Sequence, residues 1–195
     1  MNSTAPSPRW LGILLAVASA IGLIAATALT VDKLALLQNP HAATSCDVSP
    51  LVSCSKGLES WQGSLLGFPN SIIGMSAWSA LLIVSLILLT GAHLSGWFWL
   101  GLNIALAGAF VLVAFLIGQS IYVLGILCPW CMATWLVAIP SFLGVSLFNL
   151  SRWGTGERAR ALGRLGVRWL PTITLCCIVL IALLAQARLD LLASL

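Results

Sequence analysis

The sequence of 195 residues is strongly apolar: 60% of its residues are hydrophobic, 7% are charged, and the mean hydropathy is +1.06. This balance excludes a water-soluble globular enzyme. No charged residue occurs between Glu59 and Arg152, and a helix needs only about 20 apolar residues to cross a bilayer, so this stretch must cross it several times. The net charge of +4 comes largely from one arginine-rich segment, which indicates membrane topology rather than a nucleic-acid partner.

Five apolar segments predict an all-α membrane protein in a single integral domain over residues 1–195. The first lies between Arg9 and Asp32 and exceeds the apolar region of about 7–15 residues in a signal peptide. Ala26-Thr27-Ala28 resembles a cleavage site, however, and cleavage there would leave four spans. Span four should begin at Pro129, because proline suits the first turn of a helix. The expected spans cover 10–31, 72–90, 97–122, 129–150 and 169–187.

Residues 151–168 carry five arginines and one acidic residue, so this basic loop should be cytoplasmic. Counting back places the N-terminus inside, residues 32–71 outside as a periplasmic cap loop, and the start of span four outside. The C-terminus, with Arg188 and Asp190, then falls outside, against the charge rule. Within the cap loop, 57–68 is weakly amphipathic. Five tryptophans flank the spans as interfacial anchors do; they are Trp10, Trp97, Trp99, Trp153 and Trp169.

Cys128 and Cys131 form a C-x-x-C motif at the outer start of span four. Residues three apart share a helix face, so both sulfurs can point the same way. The positive end of the helix dipole lowers the pKa of a thiol there and makes it a better nucleophile and leaving group. The motif is therefore suited to disulfide exchange, with a static disulfide or two buried thiols as the alternative.

A second pair, Cys46 and Cys54, lies in the cap loop with seven residues between its members, a spacing that permits a disulfide without requiring it. Two dithiols at one membrane face allow a relay in which a thiolate of one pair attacks the disulfide of the other. A loop staple and a zinc site of four thiolates are alternatives, although zinc ligands are usually two to four residues apart. Cys176 and Cys177 should pack within span five as small hydrophobic residues, and His41 is interpreted as a solvated loop histidine.

Four motifs follow one another along the chain: Cys46-Asp47-Val48, Ser53-Cys54-Ser55, Pro69-Asn70-Ser71-Ile72-Ile73-Gly74 and Cys128-Pro129-Trp130-Cys131. Together and in this order they resemble the vitamin K epoxide reductase family. The resemblance covers about residues 46–135, and the hydropathy of spans one to four fits the rest of the core. The order speaks against the other family of four-helix quinone-linked disulfide oxidases, in which the C-x-x-C comes first and the wider pair second.

The resemblance implies a four-helix bundle that encloses a quinone near the outer face, with a fifth transmembrane helix beside it and a half-helix cap above it. By position, Cys131 would be the thiolate beside the quinone ring and Cys128 the thiol that exchanges with the loop. Cys54 would form the mixed disulfide with Cys128, and Cys46 would be presented to the external substrate. Asn70 matches a family asparagine that hydrogen-bonds a quinone carbonyl, with capping of span two as the alternative.

Three further positions follow from the resemblance. Ser60 matches a serine or threonine of the cap, although a surface serine would look the same. Leu58 stands where vertebrate enzymes have an aromatic cap residue, and Trp135 stands at the quinone site where they have a tyrosine. Both departures argue against epoxide reduction.

These inferences predict a membrane thiol-disulfide oxidoreductase that reoxidises a thioredoxin-like protein and reduces a quinone of the menaquinone, ubiquinone or phylloquinone type, without metal or flavin. Many bacterial members carry a thioredoxin-like domain after span five, whereas about eight residues follow it here, so a separate periplasmic partner is expected. A bacterial inner membrane, with the active site on the outer face, is the expected location. The alternatives are a thiol-driven vitamin K epoxide or quinone reductase, and a non-enzymatic membrane protein with structural disulfides or a metal site.

Overall fold

The computed structural model describes residues 5–6, 8–39, 44–47 and 51–189. His41, Val48 and Asp190 lie outside the described residues. The described part is predominantly helical, with two short strands, β1 (Ala5–Pro6) and β2 (His93–Leu94), that pair antiparallel. Its α-helices are α1 (Arg9–Gln38), α2 (Ser55–Glu59), α3 (Asn70–Leu89), α4 (Gly96–Gly118), α5 (Pro129–Trp153), α6 (Glu157–Arg168) and α7 (Leu170–Leu189).

Five of these helices, namely α1, α3, α4, α5 and α7, are long and apolar enough to cross a membrane, which confirms the predicted all-α membrane fold. The first helix continues seven residues beyond the expected limit at Val31. Its charged residues Asp32 and Lys33 stay helical because both bond to groups of the segment between α1 and α3. The charge that marked the end of the span therefore lies inside the helix.

A change of helix type ends span three. After Gly118 the chain continues as a π-helix over Gln119–Leu124, and Gly125 then adopts a left-handed conformation with φ 64°. Glycine tolerates this conformation because it has no Cβ. Ser120 closes the turn, since its hydroxyl donates to the carbonyl of Ile126 at 2.5 Å. The result is a sharp exit that leads directly to the C-x-x-C motif.

The bundle is built around α1, which packs along α3 on one side and α5 on the other, while α4 packs against α5. The last helix, α7, lies beside α5 and is largely exposed. Because lipid tails are as apolar as these side chains, close packing rather than the hydrophobic effect must hold the helices together. The buried side chains of this core include Leu11, Leu15, Trp78, Leu81, Leu88, Val145 and Phe148.

One tryptophan departs from its expected role as an interfacial anchor. Trp97 and Trp169 are 65% and 54% exposed, as anchors should be, but Trp99 is fully buried. Its ring lies 4.5 Å from that of Phe148, centroid to centroid. The anchor interpretation is wrong for Trp99 because its side of α4 faces α5. The expectation that both cysteines of span five pack inside is also wrong for Cys176, which is exposed.

The ends of the bundle differ in character. Helix α5 begins after Cys128 at one end and finishes at Trp153 at the other, 25 residues later, a length of about 37 Å. The arginine-rich α6 follows directly and packs against α5, where Gly163 lies against the backbone of Ser151. The cysteine pairs and the basic segment therefore lie at opposite ends of the bundle.

Candidate functional site

A short backbone pairing brings the two cysteine pairs together. Val52 and Leu127 form an isolated parallel bridge, and the N–H of Leu127 donates to the carbonyl of Leu51 at 2.8 Å. Cys54 follows the bridge by two residues on one strand, and Cys128 follows it by one residue on the other. The bridge thus places a loop cysteine beside the first cysteine of the C-x-x-C motif.

The sulfurs of Cys46, Cys54 and Cys128 form a compact group. Cys46 and Cys54 are joined by a disulfide, and Cys54 Sγ lies 2.8 Å from Cys128 Sγ. All three sulfurs lie within 4.8 Å of one another, and the residues are 5%, 1% and 4% exposed. Since two of the four thiols are joined in this state, they are not free to complete a four-thiolate zinc site. The arrangement is that of a disulfide next to an incoming thiol.

Cys128 occupies the N-cap of α5, and its Sγ accepts a hydrogen bond from the N–H of Cys131 at 3.4 Å. The pKa of the Cys128 thiol is lowered, chiefly by a hydrogen bond from the Cys131 side chain and further by backbone N–H groups of Cys131 and Trp130. Burial and the negative charge of Asp32 oppose this shift. The net effect favours the Cys128 thiolate, which is the nucleophilic form.

Asp47 fixes the chain around Cys54. Its Oδ1 accepts hydrogen bonds from the Ser53 hydroxyl at 2.7 Å and from the N–H groups of Cys54 and Ser55 at 2.8 and 3.2 Å. Burial raises the pKa of Asp47, but hydrogen bonds from Thr44, Ser53 and the two backbone groups outweigh it and hold the pKa well below its usual range. The carboxylate thereby caps the start of α2 and orients Cys54.

Asp32 fixes the chain around Cys46. Its carboxylate accepts hydrogen bonds from the Ser45 hydroxyl at 2.7 Å and from the Ser45 N–H at 3.2 Å, and Oδ2 lies 3.9 Å from Cys46 Sγ. The Ser45 hydroxyl in turn accepts a bond from the indole N–H of Trp130 at 3.0 Å. This chain of contacts connects span one, the cap loop and the C-x-x-C motif.

Within the cap loop of residues 32–71, we call the segment 51–68 the cap; it contains α2 and the 3₁₀ turn Trp61–Ser64. It covers a cavity of about 160 Å³ between the helices. The Nζ of Lys33 holds the cap by donating to the carbonyl of Leu58 at 2.6 Å, at the C-terminal end of α2. The cavity is mainly apolar, with Cys54, Cys128 and Cys131 at its wall. Further lining side chains include Leu29, Leu58, Gln62, Asn70, Trp78, Val113, Leu116, Gln119 and Trp135.

Asn70 lines this cavity, but its amide is also bonded to the cap. Its Nδ2 donates to the carbonyl of Gln62 at 2.6 Å, and its Oδ1 accepts from the N–H of Leu65 at 3.1 Å. Pro69 occupies the N-cap position of α3, and Asn70 is the first helical residue. The amide therefore fastens the cap to span two while facing the cavity.

The three remaining predicted residues also line the cavity. Ser60 ends α2, and its hydroxyl donates to the carbonyl of Gly57 at 2.7 Å. Leu58 is 8% exposed and packs against Cys54 and Cys128. Trp135 is 7% exposed and also borders a second, apolar groove between α5 and α7.

A family model described as the vitamin K epoxide reductase family matches residues 13–146, about two thirds of the sequence. The chain belongs to this family. A search of curated proteins finds no match. The matched region contains Cys46, Cys54, Cys128 and Cys131 and every side chain that lines the cavity.

Membership in the vitamin K epoxide reductase family, expected from the cysteine motifs, is confirmed. The family comprises membrane oxidoreductases that couple thiols, disulfides and quinones. Together with the five membrane-spanning helices, it identifies the chain as an integral membrane protein.

Several residues of this site were missed by the sequence analysis. Gln62 and Gln119 bond to each other at the cavity wall, and Asp32 holds the cap loop. Gln119 could have been singled out from the sequence, because an amide near the end of an otherwise apolar span is unusual. Asp32 was interpreted as the boundary of span one, since its partner Ser45 is 13 residues away and only the folded loop joins them.

Proposed function

We propose that this member of the vitamin K epoxide reductase family oxidises the dithiol of a separate thioredoxin-like protein and transfers the electrons to a membrane quinone. The contact between Cys54 Sγ and Cys128 Sγ, 2.8 Å apart beside the Cys46–Cys54 disulfide, is the observation that carries the proposal. It supports direct exchange between the two pairs without a large rearrangement of the chain.

The first stage reduces the loop disulfide. A thiolate of the partner attacks Cys46 Sγ and breaks the bond to Cys54, which leaves as a thiolate. The second thiol of the partner then attacks the mixed disulfide and releases Cys46. The partner is left with a disulfide, and Cys46 and Cys54 have gained two electrons and two protons.

The second stage passes these electrons to the C-x-x-C motif in its disulfide form. The Cys54 thiolate attacks Cys128 Sγ and expels Cys131, and Cys46 then attacks Cys54 and expels Cys128. The Cys46–Cys54 disulfide is restored, and Cys128 and Cys131 are left as two thiols. This is the redox state described above, with Cys46 joined to Cys54 and with Cys128 and Cys131 as free thiols.

In the last stage the two thiols of the motif deliver two electrons and two protons to the quinone, which becomes a quinol, while Cys128 and Cys131 form a disulfide. The apolar cavity beside Cys131 is a suitable site for the quinone ring, and Trp135 offers it an apolar wall. We propose Asn70 as a hydrogen-bond donor to a quinone carbonyl, because an amide nitrogen carries two hydrogens and one bond to Gln62 leaves the other.

We also propose roles for the cap and the orientation of the protein. Ser60 and Leu58 would close the cavity from the cap side. The arginine-rich α6 would lie in the cytoplasm by the positive-inside rule, which puts the cysteine pairs on the outer face of a bacterial inner membrane. Cys46 is 5% exposed, so the partner would reach it only when the segment 44–47 moves.

Quinone reduction by the purified protein tests the proposal, with either a reduced thioredoxin-like protein or dithiothreitol as the electron donor. We expect Cys128→Ala and Cys131→Ala to lose at least about 10³-fold in rate with both donors. Cys46→Ala should retain turnover with dithiothreitol and lose it with the protein donor. Cys176→Ala, on the exposed surface of α7, is the matched control and should behave as wild type.

The proposal fails if the wild type reduces no quinone, or if the Cys46, Cys128 and Cys131 variants all match it. Loss of dithiothreitol turnover in Cys46→Ala would contradict the order of the relay. A wild type that consumes vitamin K epoxide with dithiothreitol but reduces no quinone would favour the epoxide alternative.

A further inference from the structure

A polar pair joins the cap to span three at the cavity wall. Gln62 is 3% exposed, and its Nε2 donates a hydrogen bond to Gln119 Oε1 at 3.1 Å. Gln62 belongs to the 3₁₀ turn of the cap, and Gln119 opens the π-helical segment of span three.

One atom of this pair has no partner. Gln62 Oε1 is buried without a hydrogen bond among the described residues, although Gln62 lines the cavity. The rest of the residue is fixed, because its carbonyl accepts from Asn70 and its Nε2 donates to Gln119. A buried acceptor without a partner is unfavourable, so a ligand that supplies a hydrogen to it would be recognised.

The proposed substrate can donate such a hydrogen only in its reduced form. The carbonyl oxygens of a quinone accept hydrogen bonds but cannot donate them. Addition of two electrons and two protons gives a quinol, whose hydroxyls donate. The free Oε1 of Gln62 therefore suits the reduced ring.

The amide pair can also serve the oxidised ring. If both amide groups rotate by about 180° about their terminal bonds, Gln119 becomes the donor and Gln62 Oε1 the acceptor. The hydrogen bond between the two residues is kept, because the oxygen and nitrogen of an amide are nearly equal in shape. Gln62 then presents an N–H to the cavity, which suits a quinone carbonyl.

We propose that Gln62, positioned by Gln119, hydrogen-bonds an oxygen of the quinone ring: it accepts from the quinol hydroxyl in the orientation described and donates to the quinone carbonyl in the rotated one. The inference rests on the proposed function and adds a binding residue to it. Asn70 would then act twice, by facing the cavity and by holding the backbone of Gln62. The glutamine pair makes the affinity for the reduced ring depend on its hydroxyl hydrogens.

Binding of menadiol and of its dimethyl ether, measured anaerobically by calorimetry on the purified protein, tests this role. The ether keeps the ring and lacks the hydroxyl hydrogens. The measured quantity is the ratio of the affinity for menadiol to the affinity for the ether. We expect this ratio to be about tenfold higher in wild type than in Gln62→Met. Comparison of this ratio between variants cancels the different partition of the two compounds into detergent. Gln38→Met, at an exposed position of α1, is the matched control and should keep the wild-type ratio.

A second variant keeps the test decisive if Gln62→Met does not fold. Gln119→Met leaves Gln62 in place without its partner, and we expect it to lose most of the preference for menadiol. A wild-type ratio in the folded glutamine variants would overturn the inference. If quinone reduction still requires Cys131 in that case, the proposed function stands. Failure of the wild type both to bind the ring and to reduce a quinone would overturn both.

Discussion

The sulfur of Cys54 is the atom at which the two cysteine pairs meet. It is bonded to Cys46 and lies 2.8 Å from Cys128 Sγ, so an exchange needs only a shift of one sulfur–sulfur bond. Two carboxylates hold the chain on either side of it. Asp47 accepts from the backbone of Cys54, and Asp32 accepts from the residue before Cys46.

We predict that Cys128 is alkylated at lower pH than an ordinary cysteine. Its pKa is lowered by the hydrogen bond from Cys131 and by backbone N–H groups, so its thiolate persists as the pH falls. In Cys54→Ala, where the sulfur is uncovered, the rate of reaction with iodoacetamide should reach half its maximum below the ordinary thiol range, as followed by mass spectrometry. Adding Cys131→Ala should move this midpoint to higher pH, and an unchanged midpoint would contradict the assignment.

We predict that Asp32→Ala loosens the loop disulfide. The substitution removes a buried charged acceptor from the hydroxyl and N–H of Ser45, and a hydrogen bond to a charged group contributes about 1.5–3 kcal/mol. The variant should unfold at lower temperature, and dithiothreitol should reduce Cys46–Cys54 about tenfold faster by the kinetics of thiol release. Asp32→Asn keeps one acceptor oxygen, so its reduction rate should lie between those of wild type and Asp32→Ala. A wild-type reduction rate in Asp32→Ala would exclude this role.

At the scale of elements, the contact between α1 and α3 depends on small residues. A Cβ at Gly22 would collide with the ring of Trp78, and a Cβ at Gly74 would lie 3.3 Å from the Cβ of Ala26. At Gly108, by contrast, a Cβ would meet no neighbouring atom within 4 Å. Its face of α4 has no neighbouring helix in the described part of the chain.

We therefore predict opposite outcomes for the same substitution at two glycines. Gly22→Ala should destabilise the protein by about 1–3 kcal/mol, because the Trp78 ring must move within a packed core. Gly108→Ala should change stability by less than about 0.5 kcal/mol or raise it slightly, since alanine favours a helix and meets no atom there. Thermal unfolding in detergent measures both, and equal losses would refute the packing argument.

At the scale of the whole molecule, the two ends of the bundle carry different chemistry. The cysteine pairs and the cap occupy one end, and α6 with its arginines occupies the other. The apolar helices between them are stabilised by packing and by satisfied backbone groups, as a bilayer requires. Under the proposed function, such a protein would accept electrons at one membrane face and store them in a quinone that diffuses within the bilayer.

We predict that α6 is cytoplasmic. In a variant with every native cysteine replaced by serine, a cysteine introduced by Arg160→Cys should react with a membrane-impermeant maleimide only after cells are permeabilised. Glu59→Cys, at the C-terminal end of α2 in the cap, should react in intact cells. The reverse pattern would invert the topology and place the relay in the cytoplasm.

Composition alone determined the all-α membrane class, because a segment of 92 uncharged residues cannot remain in water. The four motifs, three of which contain cysteine, determined the family, since their residue types and order are read directly along the chain. Local rules also located the start of α5, where Pro129 follows an N-cap cysteine. These features depend on neighbours in sequence, which is why they were predictable.

Only the tertiary structure decided which groups meet at the site. The hydrogen bond between Gln62 and Gln119 joins residues 57 apart, and the bond from Ser45 to Asp32 depends on a loop that folds back on its own helix. The burial of Trp99 likewise depends on which side of α4 faces α5. Such contacts arise from the packing angle and register of helices, which periodicity in a uniformly apolar sequence does not encode.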